Sequence, residues 1–173
     1  MKHAYLLRTE RLRLRQLELA DLPLVLLWRN DPEIGRWFFN SGSITWEQHR
    51  GWYARYLDTE TDIAFIVEEV SSLYEPVGAA ALYRIDTERG TAEFGRLMIG
   101  NARARGKGFG LEIVNAICSF GLRQLGLNEI YLEVLEDNAA AVNTYEKAGF
   151  RTISVKSEER RPIRIMALRG QGG

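Results

Sequence analysis

The segment RARGKGFG, residues 103–110, is the feature that most constrains the fold of this chain. The residues before it, TAEFGRLMIG at 91–100, have the β-branched, aromatic and aliphatic composition of a strand. The residues after it, LEIVNAICSFGLRQLG at 111–126, have apolar positions three and four apart and a terminal glycine, as in a helix. The glycine-rich loop is therefore predicted to join the end of a strand to the beginning of a helix.

This position predicts an anion-binding loop. The first turn of a helix leaves backbone N–H groups without intrahelical partners, and the helix dipole favours a negative charge beside them. Three glycines carry no Cβ atom that would hold a phosphate away from these amides, and three cationic side chains add positive charge. The glycines are Gly106, Gly108 and Gly110, and the cations are Arg103, Arg105 and Lys107. On the octapeptide alone, a glycine-rich connection with solvated cations is an equal alternative.

Two common phosphate-binding motifs do not fit the spacing. A Walker loop requires G-x-x-x-x-G-K-[ST], but five residues separate Gly100 from Gly106, and Lys107 is followed by Gly108. A dinucleotide fingerprint requires G-x-G-x-x-G, but Leu111 stands where the third glycine is needed. Neither class of nucleotide-binding loop is predicted.

The pattern R-x-x-G-x-G, formed by Arg103, Gly106 and Gly108, is followed by NAAAVNTYEKAGF at residues 138–150. Together these motifs resemble the GNAT superfamily of acetyl-CoA-dependent N-acetyltransferases. The resemblance implies that the loop cradles the coenzyme A pyrophosphate and that an amide near Met98 donates to the thioester oxygen. It implies acetyl-CoA as co-substrate and these cofactor-binding residues: Leu97, Met98, Ile99, Arg103, Arg105, Gly106, Lys107, Gly108, Phe109, Gly110, Asn138 and Asn143.

The apolar patterns predict an α/β (α+β) protein. Strands are predicted at 11–16, 62–70, 76–85, 91–99, 129–135, 150–156 and 162–168, and helices at 21–30, 32–39, 45–57, 111–125 and 138–148. Thr45 and Gln48 are predicted to form a capping box at the start of the third of these helices, and the side chain of Asn138 is predicted to cap the last. The resemblance implies a mixed, mostly antiparallel sheet of six or seven strands with helices on both faces. It also implies that 91–99 and 129–135 splay apart to admit the pantetheine arm. We expect one domain over residues 1–169 and a flexible tail at 170–173.

Acetyl transfer to an amine needs one group that removes the amine proton and one that protonates the departing thiolate. The resemblance places Tyr145 near the coenzyme sulfur, where a phenol with a pKa of about 10 is protonated and can act as general acid. The alternative is an ordinary aromatic packed on the sheet. Glu93 is a candidate base through a bridging water, on a strand face shared with Gly95, Leu97 and Ile99. Otherwise Glu93 pairs with an arginine across the sheet, and ordered water serves instead.

The acceptor site is predicted in LLWRNDPEIGRWFF, residues 26–39. Aromatic rings offer flat faces for a sugar or base, and Arg29 can pair with phosphate. WRNDPEI and WFFN resemble a branch of the superfamily that includes N-acetyltransferases of nucleotide-linked amino sugars, which implies an acceptor pocket bordered by Trp28, Arg29, Asn30 and Trp37. Related patterns occur in enzymes that acetylate protein N-termini or other amines. Most of the aromatic rings here are expected to form a helical core beneath the sheet.

Composition narrows the partners. The 23 lysines and arginines equal the 23 aspartates and glutamates, so no overall field favours nucleic acid or an anionic membrane. The first ten residues lack the apolar core of a signal peptide, and no stretch approaches the roughly 20 apolar residues of a membrane span, so we expect a soluble cytoplasmic protein. Cys118 is expected in the core, and His3 and His49 give no metal-ligand cluster, so no metal is expected.

The predicted reaction is direct transfer of acetyl from acetyl-CoA to a primary amine in a ternary complex, without an acyl-enzyme. A nucleotide-linked amino sugar is the preferred acceptor, and a protein or peptide α-amine or another small amine is the alternative. A binding module that retains acetyl-CoA without turnover is an alternative of another class. A homodimer through an exposed strand at 162–168 is left open.

Overall fold

The computed structural model describes residues 2–158 and 161–171 of the chain. Within these residues the elements, in chain order, are β1 (Leu7–Arg8), β2 (Leu12–Gln16), α1 (Leu22–Arg29), α2 (Pro32–Gly35), α3 (Trp46–Asp58), β3 (Ile63–Glu69), β4 (Glu75–Asp86), β5 (Thr91–Ile99), α4 (Phe109–Arg123), β6 (Glu129–Leu135), α5 (Ala139–Lys147), β7 (Arg151–Glu158) and β8 (Arg161–Arg169). Short 3₁₀ turns at Leu19–Asp21 and Ala102–Ala104 precede α1 and α4.

The strands form one sheet in the order β1-β2-β3-β4-β5-β6-β8-β7. Neighbouring strands are antiparallel except β5 and β6, which are parallel and joined by the crossover through α4. The predicted mixed, mostly antiparallel α/β fold is confirmed. The sheet has one strand more than expected because Leu7–Arg8, too short to show an alternating pattern, pairs with β2.

The two parallel strands separate soon after they meet. Thr91–Glu93 of β5 pairs with Glu129–Tyr131 of β6, and beyond these residues the two strands do not pair with each other. On their outer sides, β5 stays paired with β4 as far as Ile99, and β6 stays paired with β8 as far as Leu135. Because each wall is held by a neighbouring strand, the separation is a built-in cleft, and the predicted splay is confirmed.

A β-bulge lies in β5 at the level of the cleft. Ala81 pairs with Gly95, but the next registered pair joins Ala79 to Met98, so two residues of β5 face one residue of β4. Arg96, one of these two residues of β5, has a φ of 56°. A bulge of this kind locally reverses the alternation of side chains along a strand.

The bulge changes the predicted neighbours of Glu93. Met98 packs with the apolar cluster on the face of Gly95 and Glu93, whereas Leu97 and Ile99 pack against the cluster on the opposite face. The prediction that Glu93 shares a face with Leu97 and Ile99 was therefore wrong. A strict two-residue period misses a bulge because the extra residue leaves no mark in the apolar pattern.

Helices cover both faces of the sheet, as predicted. On one face α4 and α5 bury Ile113, Ile117 and Phe150 completely, and on the other face α1 and α3 pack through Leu22 and Tyr56. Complete burial of an aliphatic side chain of this size stabilises the fold by about 1.5–3 kcal/mol. These two cores hold the helices against the two faces of the sheet that contains the cleft.

Helix boundaries follow local chemistry, with one exception. Thr45 and Gln48 form the predicted capping box at the start of α3. The predicted helix at 32–39 ends at Gly35 instead, because the chain turns there and sends Trp37 and Phe38 to different neighbours. Packing thus overrides the helical pattern of this segment.

The remaining predictions concern Cys118, the tail and the outer strands. Cys118 is buried, and burial raises the pKa of its thiol to about 12. Gly170 donates to the Asn128 carbonyl at 2.8 Å, so the predicted tail is tethered at its first residue; residues 172–173 lie outside the described residues. Strand 162–168 is not an edge, since β8 lies between β6 and β7. No helix in the described ranges is long and apolar enough to cross a membrane.

Candidate active site

The glycine-rich loop lies beyond the end of β5, at the N-terminus of α4. Gly108 caps the helix with a φ of 79°, and Gly106 has a φ of 73°, in the left-handed region that favours glycine. Both glycines are exposed. Among the described residues, no protein acceptor takes a hydrogen bond from the backbone amides of residues 106–111, whereas the amide of Glu112 donates to the Gly108 carbonyl. The amides are therefore available to an external anion.

The loop's cations differ in their partners. Arg103 pairs with Glu75 at 2.9 Å, and Arg105 lies 3.4 Å from Asp31 while donating to the Ile99 carbonyl at 3.2 Å. Lys107 has no carboxylate within 4 Å in the described part of the chain. Lys107 is consequently the loop cation that can meet an incoming anion without first breaking an ion pair.

Arg11 of the chain preceding β2 braces this loop. Its guanidinium donates to the Lys107 carbonyl at 2.9 Å, pairs with Glu112 at 2.7 Å and lies 4.4 Å above the Phe109 ring. Sequence reasoning missed Arg11 because 96 residues separate it from Lys107 and no local pattern links them. Through these contacts Arg11 holds the Lys107 carbonyl and the first turn of α4 in place.

Helix α5 lies beside the loop. Asn138 accepts a hydrogen bond from the Ala141 amide at 3.3 Å, so its side chain caps α5, as expected on capping grounds. A Cβ atom on Gly110 would lie 3.9 Å from the Thr144 methyl, which places residues 143–145 next to the first turn of α4. Asn143 is exposed on α5. The two sequence motifs, far apart in the chain, thus meet at one end of the cleft.

Tyr145 is buried at the cleft wall with 8% of its surface exposed. Its ring contacts Phe94 of β5 and Phe150 in edge-to-face arrangements, at centroid distances of 6.1 and 5.9 Å. Within the described residues its hydroxyl has no hydrogen-bond partner, yet the oxygen is not sealed from solvent. Burial raises the pKa of Tyr145, so the phenol is protonated at neutral pH.

Glu93 lies on the opposite face of the sheet from Tyr145. It accepts hydrogen bonds from the Tyr83 hydroxyl at 3.1 Å and from the Arg84 guanidinium at 2.9 Å, with 4% of its surface exposed. The arginine pair predicted as the alternative is therefore present. Burial raises the pKa of Glu93, although Arg84 and Tyr83 oppose that shift. The Glu93 carboxylate and the Tyr145 phenol therefore lie on opposite faces of the sheet, close to the point where β5 and β6 separate.

A cavity of about 480 Å³ lies on the face covered by α1 and α3. Its basic lining comes from three elements: Arg29 from α1, His49 and Arg55 from α3, and Arg96 from the bulge of β5. The rings of Phe38 and Trp52 and the side chain of Met98 supply apolar walls. Met98 lies past the point where β5 leaves β6, so β5 contributes to the wall of the cavity and to the wall of the cleft.

Of the four predicted acceptor residues, Arg29 lines this cavity and the other three do not. Trp28 packs where a Cβ atom of Gly100 would be, 2.0 Å from its ring. The Asn30 side chain clamps Ile44 by two backbone hydrogen bonds of 2.8 Å. Trp37 lies against the guanidinium groups of Arg36 and Arg161. These residues shape the acceptor side without facing the cavity.

Sequence reasoning missed His49, Trp52, Arg55 and Arg96. The helical spacing of the three α3 residues offered a signal, since positions 49, 52 and 55 fall on one side of a helix. His49 stacks on Trp52 at 5.8 Å, and its Nε2 lies 3.1 Å from the Leu22 carbonyl. Burial lowers the pKa of His49, so its imidazole is neutral near pH 7. No cluster of three histidine, cysteine or carboxylate side chains suited to a metal occurs in the described ranges.

Residues 11–151 match the family described as acetyltransferase (GNAT) domain. A spermidine N(1)-acetyltransferase of Vibrio cholerae is 28% identical over 139 residues, covering 80% of this chain and 78% of that protein. The N-acetyltransferase p20 of Bacillus licheniformis is 29% identical over 150 residues, covering 84% of this chain and 82% of that protein.

A crystal structure of the Vibrio cholerae spermidine N-acetyltransferase in complex with CoA and spermine superposes with a TM-score of 0.84. The two chains are 25% identical over 93% of this chain and 96% of the other. The acceptor in the name of the Vibrio cholerae enzyme is a polyamine, whereas the sequence resemblance favoured a nucleotide-linked amino sugar.

Proposed function

Because this chain belongs to the GNAT acetyltransferase family, and is therefore an acetyl-CoA-dependent N-acetyltransferase, we propose the residues and the acceptor that it uses. The acetyl group passes directly from the thioester to a primary amine of a small molecule, in a ternary complex without an acyl-enzyme. The observation that carries this assignment is the cleft between β5 and β6, with free backbone amides at its mouth and, among the described residues, an unpartnered phenol in its wall.

The glycine-rich loop binds the pyrophosphate of acetyl-CoA. The amides of residues 106–111, which have no acceptor among the described residues, donate to the phosphate oxygens, and Lys107 adds a charge that no carboxylate within 4 Å neutralises among the described residues. Arg103 and Arg105 contribute after leaving Glu75 and Asp31. The unpaired backbone of β5 and β6 beyond the splay offers donors and acceptors to the amides of the pantetheine arm.

Tyr145 protonates the departing thiolate. Its hydroxyl has no partner in the described chain, its pKa is raised by burial, and α5 holds it next to the loop that binds the coenzyme. A phenol in these surroundings is protonated at neutral pH and can donate its proton to the sulfur as the C–S bond breaks and negative charge develops there; the phenolate then recovers a proton from water.

The proton of the acceptor amine is removed on the face of the sheet opposite Tyr145. Glu93 takes it through a bridging water, and its raised pKa brings it closer to the range of a useful base. The competing assignment, which its ion pair with Arg84 favours, is that Glu93 is structural and that ordered water removes the proton. The two assignments differ in the pH dependence that they predict for turnover.

The acceptor we propose is a nucleotide-linked amino sugar. Two aromatic rings and a buried arginine in the cavity supply the stacking surface and the cation that such an acceptor requires. A polyamine is the second candidate, since the related enzyme of Vibrio cholerae is a spermidine N-acetyltransferase. Protein α-amines are the third.

A test of transfer is the release of CoA thiol from acetyl-CoA in the presence of separate amines from these classes. We expect thiol release that depends on an added amine and gives an N-acetylated product by mass spectrometry. Binding of acetyl-CoA without thiol release for any amine would contradict acetyl transfer and favour a module that retains the coenzyme.

A further inference from the structure

We infer that the acceptor carries an oxyanion, a phosphate or a carboxylate, and that Arg29 binds this group in the cavity on the α1–α3 face. The inference rests on the proposed acetyl transfer and adds the chemical class of the acceptor. It separates this chain from its polyamine-acetylating relatives, whose acceptors are cations.

Arg29 is a buried cation without a counter-ion in the described part of the chain. Only 7% of its surface is exposed, and it has no carboxylate within 4 Å among the described residues. Its guanidinium donates to the Asn40 carbonyl and lies 4.3 Å from the Phe38 ring centroid. These neutral contacts replace only part of the lost hydration, so the buried charge is costly until an anion pairs with it.

The two other arginines that line the cavity are little neutralised by carboxylates. Arg55 has no carboxylate within 4 Å in the described chain, and Arg96 is 3.4 Å from Asp62, a long separation for an ion pair. No aspartate or glutamate is among the described residues that line the cavity. A polyamine, with several positive charges, would meet repulsion here, whereas an anion would be attracted.

The shape of the site gives the acceptor a direction. Arg29 lies on α1, and Met98 of the same cavity lies on β5 beyond the splay, next to the cleft that receives acetyl-CoA. An acceptor with its oxyanion on Arg29 therefore presents its other end toward the thioester. The rings of Phe38 and Trp52 line the same cavity and offer faces on which a sugar or another compact body can pack.

Matched pairs of amines test whether the enzyme prefers an acceptor that carries an oxyanion. Glucosamine and glucosamine 6-phosphate differ by a phosphate, and cadaverine and lysine differ by a carboxylate; spermidine represents the polyamines. We expect kcat/KM to be about tenfold to hundredfold higher for the member of at least one pair that carries the oxyanion, the range of one buried charge-assisted hydrogen bond. The pair that responds distinguishes phosphate from carboxylate. Spermidine is expected to be the poorest substrate.

Arg29→Met assigns the preference to this residue. We expect the two members of the responsive pair, with and without the oxyanion, to differ by less than about threefold in this variant, while Arg29→Lys keeps an intermediate preference because it retains the charge. Arg50→Met on the exposed side of α3 is the matched control and should leave the preference unchanged. Isothermal titration of the same amine pairs into CoA-saturated protein measures the preference without turnover.

The outcomes separate the inference from the proposed function. If spermidine or the amines without an oxyanion are acetylated at least as efficiently as their oxyanion-bearing partners, the enzyme transfers acetyl but the inference is wrong. An anion preference that survives in a folded Arg29→Met variant also overturns it. Absence of thiol release with every amine contradicts transfer itself, and the titration then decides whether the cavity selects anions.

Discussion

The cleft between β5 and β6 and the cavity under α1 and α3 are built in different ways. The cleft presents backbone groups: free amides at residues 106–111 and the unpaired edges of two strands. The cavity presents side chains from elements far apart in sequence, with Arg29, Arg55 and Arg96 meeting only in the folded chain. The first is suited to the constant part of the reaction, acetyl-CoA, and the second to the part that differs among relatives, the acceptor.

Membership of the family therefore predicts the coenzyme bound in the cleft better than it predicts the acceptor bound in the cavity. Backbone donors do not depend on side-chain identity, so a chain 28% identical to its relative can keep the coenzyme site. A single substitution can change the charge of a cavity, and this change can reverse the preference for an acceptor without altering the fold. We predict that changes at the cleft affect all acceptors alike, whereas changes in the cavity affect acceptors selectively.

The strongest effect that we predict is on the chemical step at the cleft. Tyr145→Phe should lower kcat by about 10²- to 10⁴-fold, the usual contribution of a general acid, because the thiolate then leaves unprotonated. The loss should be the same for every acceptor, and the dissociation constant of CoA should stay within about twofold. Steady-state kinetics and CoA titration measure both quantities. Tyr74→Phe, at a tyrosine that is 73% exposed, is the control.

Unchanged kcat in Tyr145→Phe would contradict the acid role if single-turnover experiments show that chemistry limits the rate. The ring would then serve only to pack on Phe94 and Phe150.

The second prediction concerns the contact between the two regions. Trp28 of α1 occupies the space above Gly100, so Gly100→Ala forces a methyl group to within about 2.0 Å of ring atoms. We expect a loss of stability of about 1–3 kcal/mol from overpacking, measured by chemical unfolding. Gly42→Ala, where the nearest atom would be 3.6 Å away, should change stability by less than about 0.5 kcal/mol. Equal stability of the two variants would show that Trp28 moves freely.

The third prediction isolates the loop from ordinary backbone strain. Gly106 and Gly126 have φ angles of 73° and 69°, and a Cβ atom at either would meet nothing within 4 Å. Alanine at either position should cost about 1 kcal/mol of stability. Only Gly106→Ala should raise the KM for acetyl-CoA, by about tenfold if one phosphate contact is lost. A similar KM change in Gly126→Ala would refute a specific role of the loop.

The weakest effect that we predict concerns Glu93 and pH. Because burial raises the folded-state pKa of Glu93 above its unfolded value, the native state holds this proton more tightly, and the stability it contributes falls as pH rises from about 4.5 through the raised pKa. Wild type should therefore lose stability relative to Glu93→Gln over that window, by about 1.4 kcal/mol per unit of pKa difference. Denaturant unfolding from pH 4 to 8 measures it.

The opposite slope would mean that the ion pair with Arg84 outweighs burial. In the same variant, loss of an acidic limb in the pH profile of kcat/KM would support Glu93 as base, and an unchanged profile would support ordered water.

Most of the fold could be predicted from the sequence because strands and helices leave periodic patterns. Strand 129–135 and the capped start of α3 were predicted correctly, and so was the place of the glycine loop at a helix N-terminus. The end of the short helix at Gly35 was missed because packing overrides the helical pattern there. The bulge at Arg96 was missed because its extra residue leaves no mark in the apolar pattern. The bulge matters because it turns Met98 into the cavity.

Local chemistry followed from the order of the residues alone: where glycines free the backbone, which residues cap helices, and which stretches alternate between apolar and polar positions. These properties depend on neighbours a few residues away. Which charges have partners was settled by the folded arrangement, because ion pairing joins residues distant in the chain. Folding buries Arg29 at a place where no carboxylate among the described residues lies within 4 Å. Folding also brings Arg11 to the Lys107 carbonyl, 96 residues away in the chain, where it braces the loop.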